Sequence, residues 1–205
     1  MKTNEKTCFS PEIQNEEKYE KQLVALSLKR LNYQALFWNI VIWVVFLSLY
    51  HLFHDRNAFD LLSSVLILIA VVLGIAVHEG IHGIVAATYA RNGWKSIRFG
   101  AIWKYLVFYC HCKDPLRVKQ YRRVLLMPYF VLGLVPTLIA LATGNYWLLV
   151  FGMIFQGVAF GDVAMFYLLR KEHRETLVLD HPSKPGYIIY REKIKTCIHN
   201  NTDKQ

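Results

Sequence analysis

The run LLSSVLILIAVVLGIAVHEGIHGIVAATYA, Leu61 to Ala90, carries a single formal charge, Glu79. A helix rises about 1.5 Å per residue, so roughly 20 apolar residues cross the ~30 Å of bilayer hydrocarbon. Leu61–Ala90 is long enough to do so with turns to spare. Three more stretches share its character: Ala35 to Phe53, Val124 to Ala142, and Tyr146 to Leu169, where the only charge is Asp162. None has the polar alternation of a barrel strand, and backbone in lipid must otherwise be satisfied within a helix.

Composition agrees. The 205 residues are 54% hydrophobic and 19% charged, with a mean hydropathy of +0.24. That is more apolar and less charged than soluble domains, and it excludes a disordered chain. Four cysteines are too few for a disulfide scaffold. The net charge of +9 suggests an anionic partner, but the basic residues flank hydrophobic runs and no nucleic-acid motif accompanies them. Lipid headgroups are the expected partner, and nucleic acid is not.

The 24 lysines and arginines are unevenly spread: 6 precede Ala35, 9 fall between Arg91 and Arg123, 8 follow from Arg170, and only Arg56 lies between the first two runs. The positive-inside rule puts both termini and the central connection in the cytoplasm, which an even number of spans requires. The expected fold is therefore an all-α integral membrane protein of four transmembrane helices, a multi-pass protein of the cell membrane. Residues 1–34 form a cytoplasmic arm, 35–169 the membrane domain (spans 35–53, 61–90, 124–142 and 146–169), and 170–205 a cytoplasmic tail. The polar first 34 residues end without a small-residue cleavage site, so no cleavable signal peptide is expected. Residues 10–34 read either as a helix lying along the membrane or as a solvated arm.

Inside the second span stands His78-Glu79-Gly80-Ile81-His82, an H-E-x-x-H pattern. Histidines four apart lie on one helical face, one turn from each other, and both imidazoles can reach one Zn²⁺. The glutamate beside the first histidine can take a proton from a water that the metal acidifies. The plainer reading is two core histidines with a paired glutamate, but ionisable groups inside a span point first to function.

A catalytic zinc usually has three protein ligands, and Asp162 is the candidate third. His78 lies 17 residues into its span and Asp162 lies 16 residues into the fourth, depths of about 25 and about 24 Å. Both spans run outside to inside, so the two side chains share a level. The alternative for Asp162 is pairing with an arginine or capping a neighbouring helix. Gly157 and Gly161 precede it at a spacing that permits close helix approach.

These residues, with Phe99 to Lys104, Tyr109 to Pro115, Gly161-Asp162 and Asp180-His181-Pro182-Ser183-Lys184, resemble the putative zincin peptidases. That family comprises membrane proteins, mainly bacterial, similar in layout to site-2 intramembrane metalloproteases. The resemblance spans about Ala35 to Tyr190. It implies a zinc site of His78, His82 and Asp162, with Glu79 as catalytic base. Val163 follows Asp162, so the longer motif around the site-2 ligand aspartate is absent.

The connection from Trp94 to Cys112 is rich in β-formers, and Gly100 in it reads as a turn or bulge. The expected short cytoplasmic β-ribbon either holds an extended substrate by edge pairing or caps the helices at headgroup depth. Cys110-His111-Cys112 offers a rival metal assignment, but on a strand His111 points away from both cysteines. All four cysteines, Cys8 and Cys197 included, are expected as free thiols. Pro128 and Pro136 predict a kink in the third span that faces protein or water. Asp180 to Gly186 reads as a turn before a strand at Tyr187 to Tyr190, and His173 and His181 as surface residues.

The function this implies is a zinc-dependent peptidase acting on a membrane protein or peptide within or near the cytoplasmic side of the bilayer. The alternatives are a catalytically inactive zinc-binding scaffold or a small ion or proton transporter lined by the same residues.

Overall fold

The computed structural model describes residues 19–25, 27–54, 61–102, 107–181 and 186–192. Cys8, Cys197, Arg56, the Trp103-Lys104-Tyr105 stretch and residues 182–185 of the expected turn lie outside them. Six helices form the bulk: α1 (Leu28–Phe53), α2 (Leu61–Tyr89), α3 (Val118–Pro128), α4 (Val135–Thr143), α5 (Tyr146–Val158) and α6 (Phe160–Leu169). Six strands accompany them: β1 (Tyr19–Ala25), β2 (Ile97–Ile102), β3 (Val107–Cys112), β4 (Leu116–Arg117), β5 (Leu177–Asp180) and β6 (Gly186–Glu192).

Three helical stretches are long and apolar enough to cross a membrane: Leu31–Phe53, Leu61–Tyr89 and Val118–Thr143. A fourth is available if α5 and α6, bent by 46° at their junction, count as one broken span. Leu61 is 82% exposed and Leu52 73%. An apolar belt that large would aggregate in water but suits lipid contact, as in a membrane protein.

The prolines do not break the third span. Between α3 and α4 the helix widens into a π-helical turn at Tyr129–Leu134. The wider turn shifts the carbonyl that the Pro136 ring would strike in a regular helix. The Thr137 hydroxyl then donates to the Gly133 carbonyl at 2.8 Å and accepts from Gln156 Nε2 at 2.8 Å, a buried link from α4 to α5. At Gly152 on α5, an added Cβ would lie 2.8 Å from both the Gly133 carbonyl and the Thr137 nitrogen. Both neighbours are backbone, so the helices themselves would have to part. Gly152→Val is expected to cost at least about 1–3 kcal/mol, read as a lower unfolding temperature in detergent, and an unchanged midpoint would contradict this packing.

At the other end of the bundle α4 stops at Gly144, whose φ is +72°, and Asn145 caps α5 by accepting from the Leu148 N–H at 3.0 Å. Tyr50 Oη donates to the Gly144 carbonyl and His54 Nε2 to that of Leu141, each at 2.8 Å. These bonds tie the turn to the end of α1.

An all-α fold is the expectation that needs correction. The protein is mostly helical, but β1, β6, β5 and β4 form a four-stranded sheet in that order, and β2 and β3 a separate ribbon. Tyr19–Ala25, expected within a surface helix or a solvated arm, pairs antiparallel with β6, Tyr19 opposite Glu192 and Ala25 opposite Gly186. Residues expected as a C-terminal tail fold into β5 and β6, where Tyr187, Ile189 and Tyr190 are buried. β5 and β6 pair with each other, but β6 also takes β1 and β5 also takes β4 from far back in the chain, contacts that no local pattern reveals. The expected strand after Asp180 is present. The third helix starts at Val118 rather than Val124, because charge ends an apolar run without ending a helix. Arg117 N–H is capped by Gln120 Oε1 at 2.9 Å, Arg122 donates to the Leu169 carbonyl at the end of α6, and Arg123 donates to Tyr89 Oη at 2.9 Å.

Candidate metal centre

Helical spacing sets His78 and His82 on one face of α2, with ring centroids 4.8 Å apart. The α5–α6 break sets Asp162 in the first turn of α6, where the helix dipole favours a carboxylate. His78 Nε2 lies 3.2 Å from Asp162 Oδ2, His82 Nε2 lies 3.4 Å from the same oxygen, and the two ring nitrogens are 3.2 Å apart. Donors held at about 2.0–2.1 Å around a tetrahedral Zn²⁺ sit about 3.3 Å from one another. The triangle therefore has the dimensions of one face of such a site. Among the described residues these three form the one group of histidine, cysteine or acidic side chains able to hold a metal ion.

The second ring nitrogens differ. His82 Nδ1 lies 2.9 Å from the Val124 carbonyl, and since a carbonyl only accepts, Nδ1 carries the proton and the Nε2 lone pair is left for the cluster. His78 Nδ1 is buried without a partner among the described residues. The Phe155 ring stacks beside His78 at 6.4 Å and fits there because Gly74, one turn before His78, presents no Cβ to it. His78 itself is 4% exposed. Convergent lone pairs, a locked tautomer and an apolar cover suit a cation in the centre of the triangle.

Glu79 lines an adjoining cavity of about 190 Å³ with His82, Asp162, Cys110, Tyr121 and Asp180. The Cys110 backbone N–H faces its carboxylate. In the β2–β3 ribbon Phe99 pairs with Cys110 and Gly100 with Tyr109 in unbroken register. Gly100 is thus neither turn nor bulge; it leaves room for the Tyr109 ring to lie across it. Of the two glycines before Asp162, Gly157 meets Asn39 of α1 closely, whereas a Cβ added at Gly161 would meet no other part of the described residues within 4 Å.

Among the described residues Cys110-His111-Cys112 does not assemble a metal site. Cys110 and Cys112 are free thiols. Burial pushes the Cys110 thiol up to about 12, helped by the Glu79 and Asp180 charges. Burial likewise pushes Cys112 up to about 11, and its Sγ donates to the Asp114 carbonyl at 3.4 Å. A raised thiol pKa keeps sulfur neutral and slow to react until the pH passes that value. Maleimide at pH 7.5 is therefore expected to modify both cysteines at least about a hundred-fold more slowly in the folded protein than in SDS, since thiolate fraction sets the rate. Rapid labelling of Cys110 or Cys112 without SDS, in protein whose Cys8 and Cys197 are replaced by Ser, would contradict these surroundings.

Three participants escaped the sequence reading. The Val124 carbonyl is backbone and leaves no signal. Tyr121 and Asp180 meet at 3.2 Å from segments expected as a connection and a tail turn. His173 is exposed, as expected, and His181, just after β5, is half-buried.

Comparison with known proteins gives one match. A family profile described as "putative zincin peptidase" matches residues 71–177, which include His78, Glu79, His82 and Asp162. Neither a curated protein nor a solved structure matches the chain.

Proposed function

We propose that this chain, which belongs to the putative zincin peptidase family, is a zinc-dependent membrane peptidase that hydrolyses a peptide bond within or just beneath the cytoplasmic side of the bilayer. The observation that carries the reading is the convergence of His78 Nε2, His82 Nε2 and Asp162 Oδ2 into one triangle beside a cavity lined by Glu79. His78, His82 and Asp162 would hold the metal. When bound, zinc supplies Lewis acidity, which polarises a carbonyl and brings the pKa of a water to about 7. The Glu79 carboxylate is the group that would take a proton from the attacking water and return it to the leaving amide nitrogen. The Val124 carbonyl keeps His82 in its ligating tautomer and orientation, and Phe155 keeps water off the face of His78.

Substrate must be extended before a peptide bond can be reached. β3 pairs with β2 along one edge, and at Cys110 its other edge is turned to Glu79. An extended segment added to that edge runs past the carboxylate with its backbone hydrogen bonds met. In the bilayer, the distribution of Lys and Arg puts both termini, the ribbon and the four-stranded sheet on the cytoplasmic side, so the substrate is a membrane protein or a peptide at that surface. Cleavage of a membrane-anchored reporter by zinc-loaded protein in proteoliposomes, lost on Glu79→Gln, is the test. Equal cleavage by the variant rejects the mechanism.

A further inference from the structure

The cavity beside Glu79 holds a second acid that this chemistry does not use. Asp180 ends β5 and lines the cavity with Tyr121 and Cys110. Its Oδ1 accepts from Tyr121 Oη at 3.2 Å. Its Oδ2 lies 3.3 Å from His111 Nδ1, a nitrogen with no aligned hydrogen bond among the described residues. A carboxylate has about four lone-pair sites, so one neutral donor leaves most of that capacity open. No lysine or arginine is among the described residues lining the cavity. With a divalent ion offsetting the charges of Asp162 and Glu79, the half-enclosed Asp180 carboxylate would keep only the His111 ring within ion-pair distance, a counter-charge only when that ring is protonated, so a permanent cation beside it gains.

We propose that Asp180 forms a subsite for a lysine or arginine side chain of an extended peptide lying along β3, and so selects substrates with a basic residue near the scissile bond. This rests on the peptidase reading of the same cavity. The class follows from charge: an ammonium or guanidinium gains where a neutral side chain does not, and an acidic one is repelled. Basic residues gather at the cytoplasmic ends of membrane spans, where a substrate emerges beside this cavity. The family description names no substrate or side-chain preference, so the preference is an addition to what it implies.

The test uses full-length Glu79→Gln protein loaded with zinc in detergent, and fluorescence anisotropy of labelled, N-acetylated hexapeptides that carry Lys, Gln or Glu at each position in turn. One position is expected to favour Lys over Gln about ten-fold, a preference that Asp180→Glu keeps, Asp180→Asn reduces to within about two-fold, and Asp180→Lys turns toward Glu. Absence of any Lys preference, or its survival in Asp180→Asn, overturns the subsite. Cleavage by the Glu79-intact protein is scored separately. Hydrolysis without Lys preference rejects the subsite and leaves the peptidase standing; Lys-selective binding with no hydrolysis of any peptide does the reverse.

Discussion

Glu79→Gln is expected to leave about one zinc per chain in place while turnover falls at least about a thousand-fold. The carboxylate lies outside the His78–His82–Asp162 triangle, so exchanging it for an amide removes no ligand. What is lost is the proton acceptor beside the cluster. General-base catalysis by a positioned carboxylate is worth about 10²–10⁴ in rate, and a thousand-fold loss is about 4 kcal/mol of transition-state stabilisation. The amide keeps the volume of the carboxylate and its contact with the Cys110 N–H, so packing is preserved. Metal analysis and reporter cleavage on the same preparation check both halves. Retained turnover removes Glu79 from the chemistry, whereas loss of zinc together with turnover makes it part of the metal site instead.

The second large effect concerns the metal. His78→Ala and Asp162→Ala are each expected to reduce copurified zinc from about one per chain to background, with the helical circular dichroism signal retained. Each removes one of three donors in a triangle with 3.2–3.4 Å sides, and the two that remain are a pair that solvent competes with readily. Asp162→Ala also leaves two ring nitrogens 3.2 Å apart with no negative charge between them. Because bound ligand stabilises by RT ln(1 + [L]/Kd), about 2.7 kcal/mol at a hundred-fold excess over Kd, chelation should lower the unfolding temperature of the wild type and leave that of either variant unmoved. Full zinc occupancy in Asp162→Ala would falsify its assignment as a ligand.

Parts of this site were legible in the sequence. The four-residue spacing of His78 and His82 converts to one helical face because the helix repeat is fixed by backbone geometry. Asp162 was reachable by counting residues from the outer end of two parallel spans, since both counts use the same rise. Its exact approach was not: a 46° bend between α5 and α6 turns the carboxylate toward α2, and neither glycine spacing nor hydropathy encodes that angle. The ribbon was legible from its β-formers. Its register, which turns the Cys110 backbone to Glu79, was not.

The sequence by itself determined which segments are apolar enough for lipid, that the chain carries an H-E-x-x-H helix, and which residue types can hold a metal. Those are local properties, set by side-chain chemistry and by the repeat of a single helix. Only the tertiary structure decided that Tyr19–Ala25 is a strand, that the third helix passes its prolines through a π turn, and that Val124, Tyr121 and Asp180 adjoin the candidate metal centre. These depend on partners far away in the chain, where one segment's hydrogen bonds and packing are completed by another, and free energy gained between distant residues leaves no mark on either segment alone.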